Sequence, residues 1–166
     1  MRGAAPLPGY WNDPEATARS LTADGFYRTG DVGTLDADGY LTIVDRLSDL
    51  VITGGENVYP AEVEAVLAGH PAVADVAVIG IPDERWGETV HAVVVLTPGK
   101  VARANGDAEP GFDAGELVAW ARDRLAGFKC PTSVTVVSEL PRNATGKVLR
   151  AELRQPFWAG RDRLVS

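Results

Sequence analysis

Val44-Asp45-Arg46-Leu47-Ser48-Asp49-Leu50-Val51-Ile52-Thr53-Gly54-Gly55-Glu56-Asn57-Val58-Tyr59-Pro60-Ala61-Glu62-Val63-Glu64 is the stretch that decides how this chain folds. An apolar strand runs into a charged turn, a second short strand, a two-glycine loop and a helix opened by proline. Adjacent glycines remove the Cβ barrier, so the backbone at Gly54 and Gly55 can bend sharply or lie against a ligand. Pro60 suits a first helical turn, where its missing N–H is no loss. Glu62 and Glu64 are predicted in that same turn, where the helix dipole favours negative charge. A tight strand-to-helix connection with no ligand would use the same residues. The flanking sequence has to decide between the two readings.

Upstream, residues 1–25 are rich in Gly, Pro, Asn and Asp, with one short helix predicted over Pro14–Leu21. Asp13 can cap it and Pro14 can take its first position. Phe26 to Leu35 reads as a strand interrupted by glycine, and Tyr40 to Val44 as its returning partner. Asp36-Ala37-Asp38-Gly39 supplies the hairpin turn between them. Downstream, Val63, Val66 and Leu67 mark one face of a helix that Gly69 and Pro71 end. Val73–Ile81 reads as a strand, and Thr89–Leu96 as an apolar run suited to a central strand. Residues 98–112 form a surface loop by composition. Asp113-x-x-Glu116 opens a second helix in capping-box fashion, with Leu117, Trp120, Ala121 and Leu125 inward and Gly127 closing it. Val134–Val137 is a last strand, Leu140–Lys147 a turn-rich loop, and Val148–Arg154 a terminal helix. Strands with interleaved helices and a hairpin predict an α+β domain with a mixed sheet.

Composition narrows the functional classes. The chain has 166 residues, 45% hydrophobic and 23% charged, which suits one soluble globular domain with a sizeable core. A net charge of −7 argues against a general nucleic-acid or anionic-membrane binder, while leaving room for a local basic patch at a phosphate. Cys130 is the only cysteine, so no internal disulfide forms and a reducing cytoplasm is the expected compartment. Cys130 reads as a small, partly buried apolar residue, having no histidine near it in sequence. No apolar run approaches ~20 residues, so no membrane span is expected. Residues Met1–Pro8 lack the apolar core of a signal peptide.

Three lysines stand against thirteen arginines, so each lysine asks for a reason. Thr145-Gly146-Lys147 invites a phosphate reading, but Pro141 and Val148 occupy positions where a P-loop needs Gly and Ser or Thr. What remains is a lysine on a flexible turn, either solvated or placed as a point charge beside an anion. Arg28-Thr29-Gly30-Asp31 sets a carboxylate just beyond a glycine at a strand bend. There it can accept the two hydroxyls of a ribose, or bond its own backbone. His70 and His91 are isolated, so no metal site is expected, both read as surface or half-buried residues, and no Ser-His-Asp triad can be built.

Taken in order, these pieces resemble the adenylate-forming enzymes, specifically the acyl-CoA synthetases that ligate fatty acids and aryl acids to CoA. The resemblance begins at Gly9-Tyr10-Trp11-Asn12-Asp13-Pro14-Glu15-Ala16-Thr17 and continues through Tyr27-Arg28-Thr29-Gly30-Asp31, Asp45-Arg46-Leu47-Ser48-Asp49 and Gly54-Gly55-Glu56-Asn57-Val58-Tyr59-Pro60. It ends with Phe128-Lys129-Cys130-Pro131, Leu140-Pro141-Arg142-Asn143-Ala144-Thr145-Gly146-Lys147 and Phe157-Trp158-Ala159-Gly160-Arg161. The resemblance implies ATP and CoA as co-substrates, a carboxylic acid substrate, and a reaction in two halves. Asp31 would hold the ribose hydroxyls and Arg46 would contact the nucleotide just beyond. Lys147 would reach the α-phosphate and the substrate carboxylate in the first half. Gly54, Gly55 and Glu56 would line the pantetheine channel in the second.

Two positions depart from the usual pattern. The family often carries Gly where Asp45 stands, and Lys or Asp where Ser48 stands, so Ser48 is the hinge by position alone. The resemblance also implies domain boundaries: residues 1–45 as the last strip of a large N-terminal AMP-binding domain, and 46–166 as the small C-terminal domain, with the hinge within 46–49. The expected partner is that large domain, in cis or in trans, which would also bring any Mg²⁺. Alone, the chain is expected to be inactive, and residues 1–45 are expected to invite self-association through an unpaired strand edge. The alternative, from a different class, is a stand-alone module that docks on a separate ligase domain and regulates it. An amino-acid-activating domain of a peptide synthetase fits Gly54–Pro60 and Thr145–Arg150 less well.

Overall fold

The computed structural model describes residues 8–100 and 111–160. Most of the surface loop read over 98–112 lies outside them, as do Met1–Leu7 of the N-terminal reading and Arg161 of the tail motif. The chain divides into two compact units, Met1–Leu47 and Ser48–Ser166.

The first unit holds α1 (Pro14–Ser20), β1 (Asp31–Leu35) and β2 (Leu41–Arg46). Asp13 caps α1 by accepting the Ala16 N–H at 2.8 Å. β1 and β2 form the expected antiparallel hairpin, with a bulge between Val32 and Gly33. The strand is shorter than predicted at its start. Residues 26–28 fold back on the end of α1 instead, through Thr22 N–H to the Phe26 carbonyl and Arg28 N–H to the Ser20 carbonyl, both 2.8 Å. The turn owes its shape mainly to Asp36, whose Oδ1 accepts from Asp38 N–H at 3.0 Å and Tyr40 N–H at 2.8 Å. No described residue of this unit is buried, and Leu35, Tyr40, Leu41 and Ile43 are all more than half exposed. An isolated two-stranded ribbon is marginal in water without a surface to pack on.

The second unit is a five-stranded mixed sheet with helices on both faces. β3 (Val51–Thr53) and β4 (Glu56–Val58) make a hairpin around Gly54-Gly55. β5 (Val73–Asp83) pairs antiparallel with β6 (Gly87–Leu96) along nearly its whole length. β7 (Ser133–Val137) joins β6 in parallel, and β3 meets β6 at Thr53 and Gly87. β6 is therefore the central strand. That position explains its unbroken apolar run, because both of its faces are covered.

α2 (Pro60–Ala68) and α3 (Ala114–Arg122) cover one face. Val63 and Leu67 of α2 and Leu117 and Ala121 of α3 pack with Val76, Val78, Val90, Ala92 and Val94 of the sheet. Each fully buried Val or Leu contributes about 1.5–3 kcal/mol. The opposite face, Ala77, Ile79 and Val93, is covered by Leu140 and by Leu153 of α4 (Arg150–Trp158). α3 stops at Arg122, short of the predicted Gly127, and Leu125 reaches the core from beyond its end. α4 starts two residues later than predicted and runs on through Pro156. Proline there removes a donor from the helix. Two tertiary anchors hold the last turn regardless: the Phe157 ring lies 4.9 Å from that of His91, and Trp158 Nε1 donates to the Gly80 carbonyl at 2.9 Å.

Candidate active site

Lys147 lies on the connection between β7 and α4, and one asparagine shapes that connection. Asn143 Oδ1 accepts from Thr145 N–H at 3.0 Å, Thr145 Oγ1 at 2.8 Å and Lys147 N–H at 2.9 Å, while Asn143 N–H donates to the Lys147 carbonyl at 2.9 Å. Arg142 ties the turn to the sheet, donating to the Gly146 carbonyl and to Asp75 Oδ2, each at 2.6 Å. Lys147 itself is exposed, and among the described residues its ammonium makes no ion pair. The turn is fixed, and no described carboxylate neutralises the cation at its tip.

The Gly54-Gly55 turn has positive φ at both residues, 58° and 86°, as the tightest right-twisting hairpins require. A Cβ at position 54 would meet Trp86 Cε3 at 2.8 Å, so the Trp86 ring lies directly on the turn backbone. Gly54 N–H also donates to the Trp86 carbonyl at 2.9 Å. Beside the turn is a cavity of about 370 Å³ with Gly54, Glu56, Trp86, Phe128 and Cys130 in its wall. Its aromatic walls carry cations: Arg85 lies 4.5 Å from the Trp86 ring centre and Lys129 5.9 Å from that of Phe128. Lys129 is itself paired with Glu62 at 2.6 Å. Lys147 is not among the residues lining this cavity.

In the first unit, the structure brings Asp31 and Arg46 together across the hairpin, Arg46 Nε 2.9 Å from Asp31 Oδ1. Ser48 begins the second unit, within a single 3-10 turn over Leu47–Asp49.

Sequence reading missed the aromatic wall. Trp86, following the charged run Asp83-Glu84-Arg85, was its available signal, and Phe128 stood in a quoted motif without a role. It also misplaced two residues. Glu64 is not a helix-dipole residue: it accepts the Val78 N–H at 2.8 Å and a two-pronged contact from Arg150 at 2.8 and 2.9 Å. His91 is buried, not half-exposed, with Nδ1 2.7 Å from Ser133 Oγ and its Nε2 lacking a hydrogen-bond partner. Burial holds its imidazole below the usual histidine range, in the neutral form. Cys130 is an apolar core residue as expected but fully rather than partly buried, and desolvation pushes its thiol up despite the opposing charge of Arg122. A raised thiol pKa disfavours the thiolate that nucleophilic chemistry needs. Among the described residues, no cluster of three His, Cys, Asp or Glu could hold a metal ion, and no helix is long and apolar enough to cross a membrane.

A mixed sheet between two helical layers, preceded by a solvent-exposed hairpin, is the arrangement of the C-terminal portion of adenylate-forming enzymes. The chain belongs to the AMP-binding enzyme C-terminal domain family, whose sequence profile matches residues 62–147. It is 51% identical over 157 residues to a feruloyl-CoA synthase from Amycolatopsis sp, a match covering 95% of this chain and 30% of that protein. Among solved structures it is similar to ATP-bound MatB from Rhodopseudomonas palustris, with a TM-score of 0.78 and 42% identity over 90% of this chain and 28% of that one. It is also similar to o-succinylbenzoate CoA synthetase (MenE) from Bacillus subtilis in complex with its acyl-adenylate, with a TM-score of 0.74 and 44% identity over 88% of this chain and 28% of that one. The feruloyl-CoA synthase and MenE are acyl-CoA ligases by name, and the chain spans less than a third of the length of each of these relatives.

Proposed function

We propose that the chain acts as the C-terminal part of an ATP-dependent acid–CoA ligase, working against a large AMP-binding domain supplied in cis or in trans. Residues 1–45 are read as the last strip of that large domain and 46–166 as the small domain that moves over it. In the first half-reaction a carboxylate oxygen bonds to the α-phosphorus of ATP and pyrophosphate leaves. In the second, the CoA sulfur bonds to the acyl carbon and AMP leaves.

The observation that carries this reading is Lys147: an exposed ammonium with no ion-pair partner among the described residues, on a turn whose shape Asn143 and Arg142 fix in advance. A cation about 4 Å from a phosphoryl oxygen gains about 4 kcal/mol at an effective dielectric of 20. Preorganisation means that little of this gain is lost in ordering the turn. Asp31 accepts the ribose hydroxyls and Arg46, its ion-pair partner, reaches the nucleotide beyond. Gly54, Gly55 and Glu56 line the path of the pantetheine arm. The cavity between Trp86 and Phe128 suits a thin chain with an anionic end, since Arg85 and Lys129 stand at its aromatic walls. Any Mg²⁺ the reaction uses would be held by the large domain.

The test is to combine the purified chain with a large domain in trans. The chain alone should give no ATP–pyrophosphate exchange above background over a panel of carboxylic acids, and the mixture should give exchange. Lys147→Ala should abolish that exchange and largely spare CoA transfer from a preformed acyl-adenylate. Equal loss of both halves would remove Lys147 from the role assigned to it.

A further inference from the structure

We propose that Asp75 is a positioning residue for Lys147, acting through Arg142 to aim the lysine turn from the sheet; the proposal rests on the role given to Lys147 above. The base of the turn is anchored by apolar packing, since Leu140 is buried and Val148 packs beside it. Leu149 N–H also donates to the Pro141 carbonyl at 2.8 Å, closing that base. Asn143 to Lys147 stand beyond it and are exposed. The bonds to the Asn143 side chain shape this tip without aiming it, because both partners move with the tip. Arg142 supplies the aim. Its Nη1 donates to the Gly146 carbonyl and its Nη2 to Asp75 Oδ2, each at 2.6 Å. The peptide group between Gly146 and Lys147 is thus held at both ends, its carbonyl by Arg142 and its N–H by Asn143 Oδ1 at 2.9 Å. The direction in which the Lys147 side chain leaves the backbone is set by a guanidinium fastened to β5.

Asp75 is in place to fasten it because β5 is irregular there. Val73 pairs with Leu96 and Asp75 with Val95, so Ala74 is one residue too many. Such a bulge turns the side chains beyond it to the other face of the sheet. Val73 packs with Val76 and Val78 in the core under α2 and α3, whereas Ala77 and Ile79 pack with Leu140 and Leu153. In regular alternation Asp75 would share the face of Val73. The bulge gives it the face of Ala77, where the lysine turn lies. Asp75 Oδ1 also accepts the Val76 N–H at 3.0 Å, which fixes the carboxylate to the bulged backbone. The Arg142 and Asp75 side chains are 42% and 38% exposed, so their pairing adds little to the stability of the sheet. A contact that only held the fold together would show in unfolding. One that aims Lys147 shows in the tip and in adenylation.

The test measures backbone ¹⁵N relaxation and urea unfolding of the full chain, and both half-reactions after a large domain is added in trans. In Asp75→Ala the unfolding midpoint should stay in place, while the order parameters of Thr145, Gly146 and Lys147 fall from about 0.85 to below about 0.6. The kcat of adenylation should fall about 10- to 100-fold, as misplacing a reacting group by up to about 1 Å does. KM for ATP and CoA transfer from preformed acyl-adenylate should not change. Asp75→Glu keeps the carboxylate and should retain more of the order and of the kcat than Asp75→Ala. Asp75→Asn keeps the shape without the charge, and carries the comparison should the alanine variant fail to fold. Adding Asp75→Ala to Arg142→Ala should cost nothing further, since Asp75 acts through that arginine. A tip as rigid in the Asp75 variants as in the wild type would overturn the proposal. A loosened tip with adenylation undiminished would overturn the role of Lys147 instead. No exchange from the wild-type mixture would overturn the ligase reading, and the relaxation data would still decide whether Asp75 holds the turn.

Discussion

Arg46 and Asp31 are direct cross-strand partners, joined at 2.9 Å between Nε and Oδ1 on the last rung of the β1–β2 hairpin. The two groups proposed to hold the nucleotide thus orient each other in its absence. The Arg46 side chain is 57% exposed, so the pair adds about 1 kcal/mol or less to stability. Arg46→Ala and Asp31→Ala should therefore leave urea unfolding of the chain nearly unchanged. A hydrogen bond to a charged group is worth about 1.5–3 kcal/mol, so in the complex with a large domain each should raise the ATP concentration for half-maximal adenylation about 10- to 100-fold. ATP dependence unchanged in both variants would separate this rung from the nucleotide.

Glu62 and Glu64 stand two residues apart in α2 and should behave very differently. Glu62 pairs with Lys129 at a partly exposed site, and Glu62→Ala should cost less than about 1 kcal/mol. Glu64 satisfies both Arg150 and the Val78 N–H where solvent is largely excluded. Glu64→Ala leaves Arg150 its longer contact to Asp49 at 3.4 Å, takes the side-chain acceptor from the Val78 N–H, and should cost about 1–3 kcal/mol. Urea denaturation of the two variants side by side reads the difference.

The adjacent glycines should also separate. Gly55→Ala meets open space and suffers only from its φ of 86°, a penalty of about 1 kcal/mol. Gly54→Ala combines a φ of 58° with a Cβ 2.8 Å from Trp86 Cε3, so the ring must move into the cavity beside it. It should be the more destabilising of the two, and should slow CoA transfer from acyl-adenylate more than it slows adenylation. Stopped assays of each half-reaction check the order.

His91 predicts a pH dependence. Burial depresses its folded-state pKa below the unfolded value near 6.5. Between the two values the unfolded chain binds the extra proton, so stability falls as pH drops below about 6.5 and levels off once the folded form also protonates. The contribution is fully present at neutral pH. His91→Gln should flatten that part of the stability profile, measured by thermal unfolding from pH 7.5 to 5.

The sequence made local punctuation legible and long-range pairing illegible. Asp13 before Pro14, the Asp36–Gly39 turn, and Pro60 after the glycine pair all signal through neighbours a few residues away, and all stand where expected. Lys147 stood out through its glycine turn, but the fixing of that turn by Arg142 and Asp75 spans 67 residues and left no local trace. Glu64 looked like a helix-end residue because its partners, Val78 and Arg150, lie on other elements. The predicted terminal helix ends at Arg154, two residues short of Pro156, which is a local stop signal. Phe157 on His91 and Trp158 on Gly80 override it from across the sheet. His91 looked half-exposed because period and composition say nothing about a helix that packs over it from the far end of the chain.

The β3–β4 turn has a consequence in terms of handedness. Its two residues hold a backbone twist natural to D-amino acids, which ribosomal synthesis does not supply. Asn12 shows that this chain tolerates an L-residue at a φ of 54° elsewhere. At position 54 the Trp86 ring withdraws that option, and at position 55 the φ is wider still. The one achiral residue of the genetic code is used twice running: Gly54 carries the Trp86 ring against it, and Gly55 leaves bare main chain facing open space. At position 55 the surface is therefore made of peptide groups, whose chemistry does not change with the side chains around them.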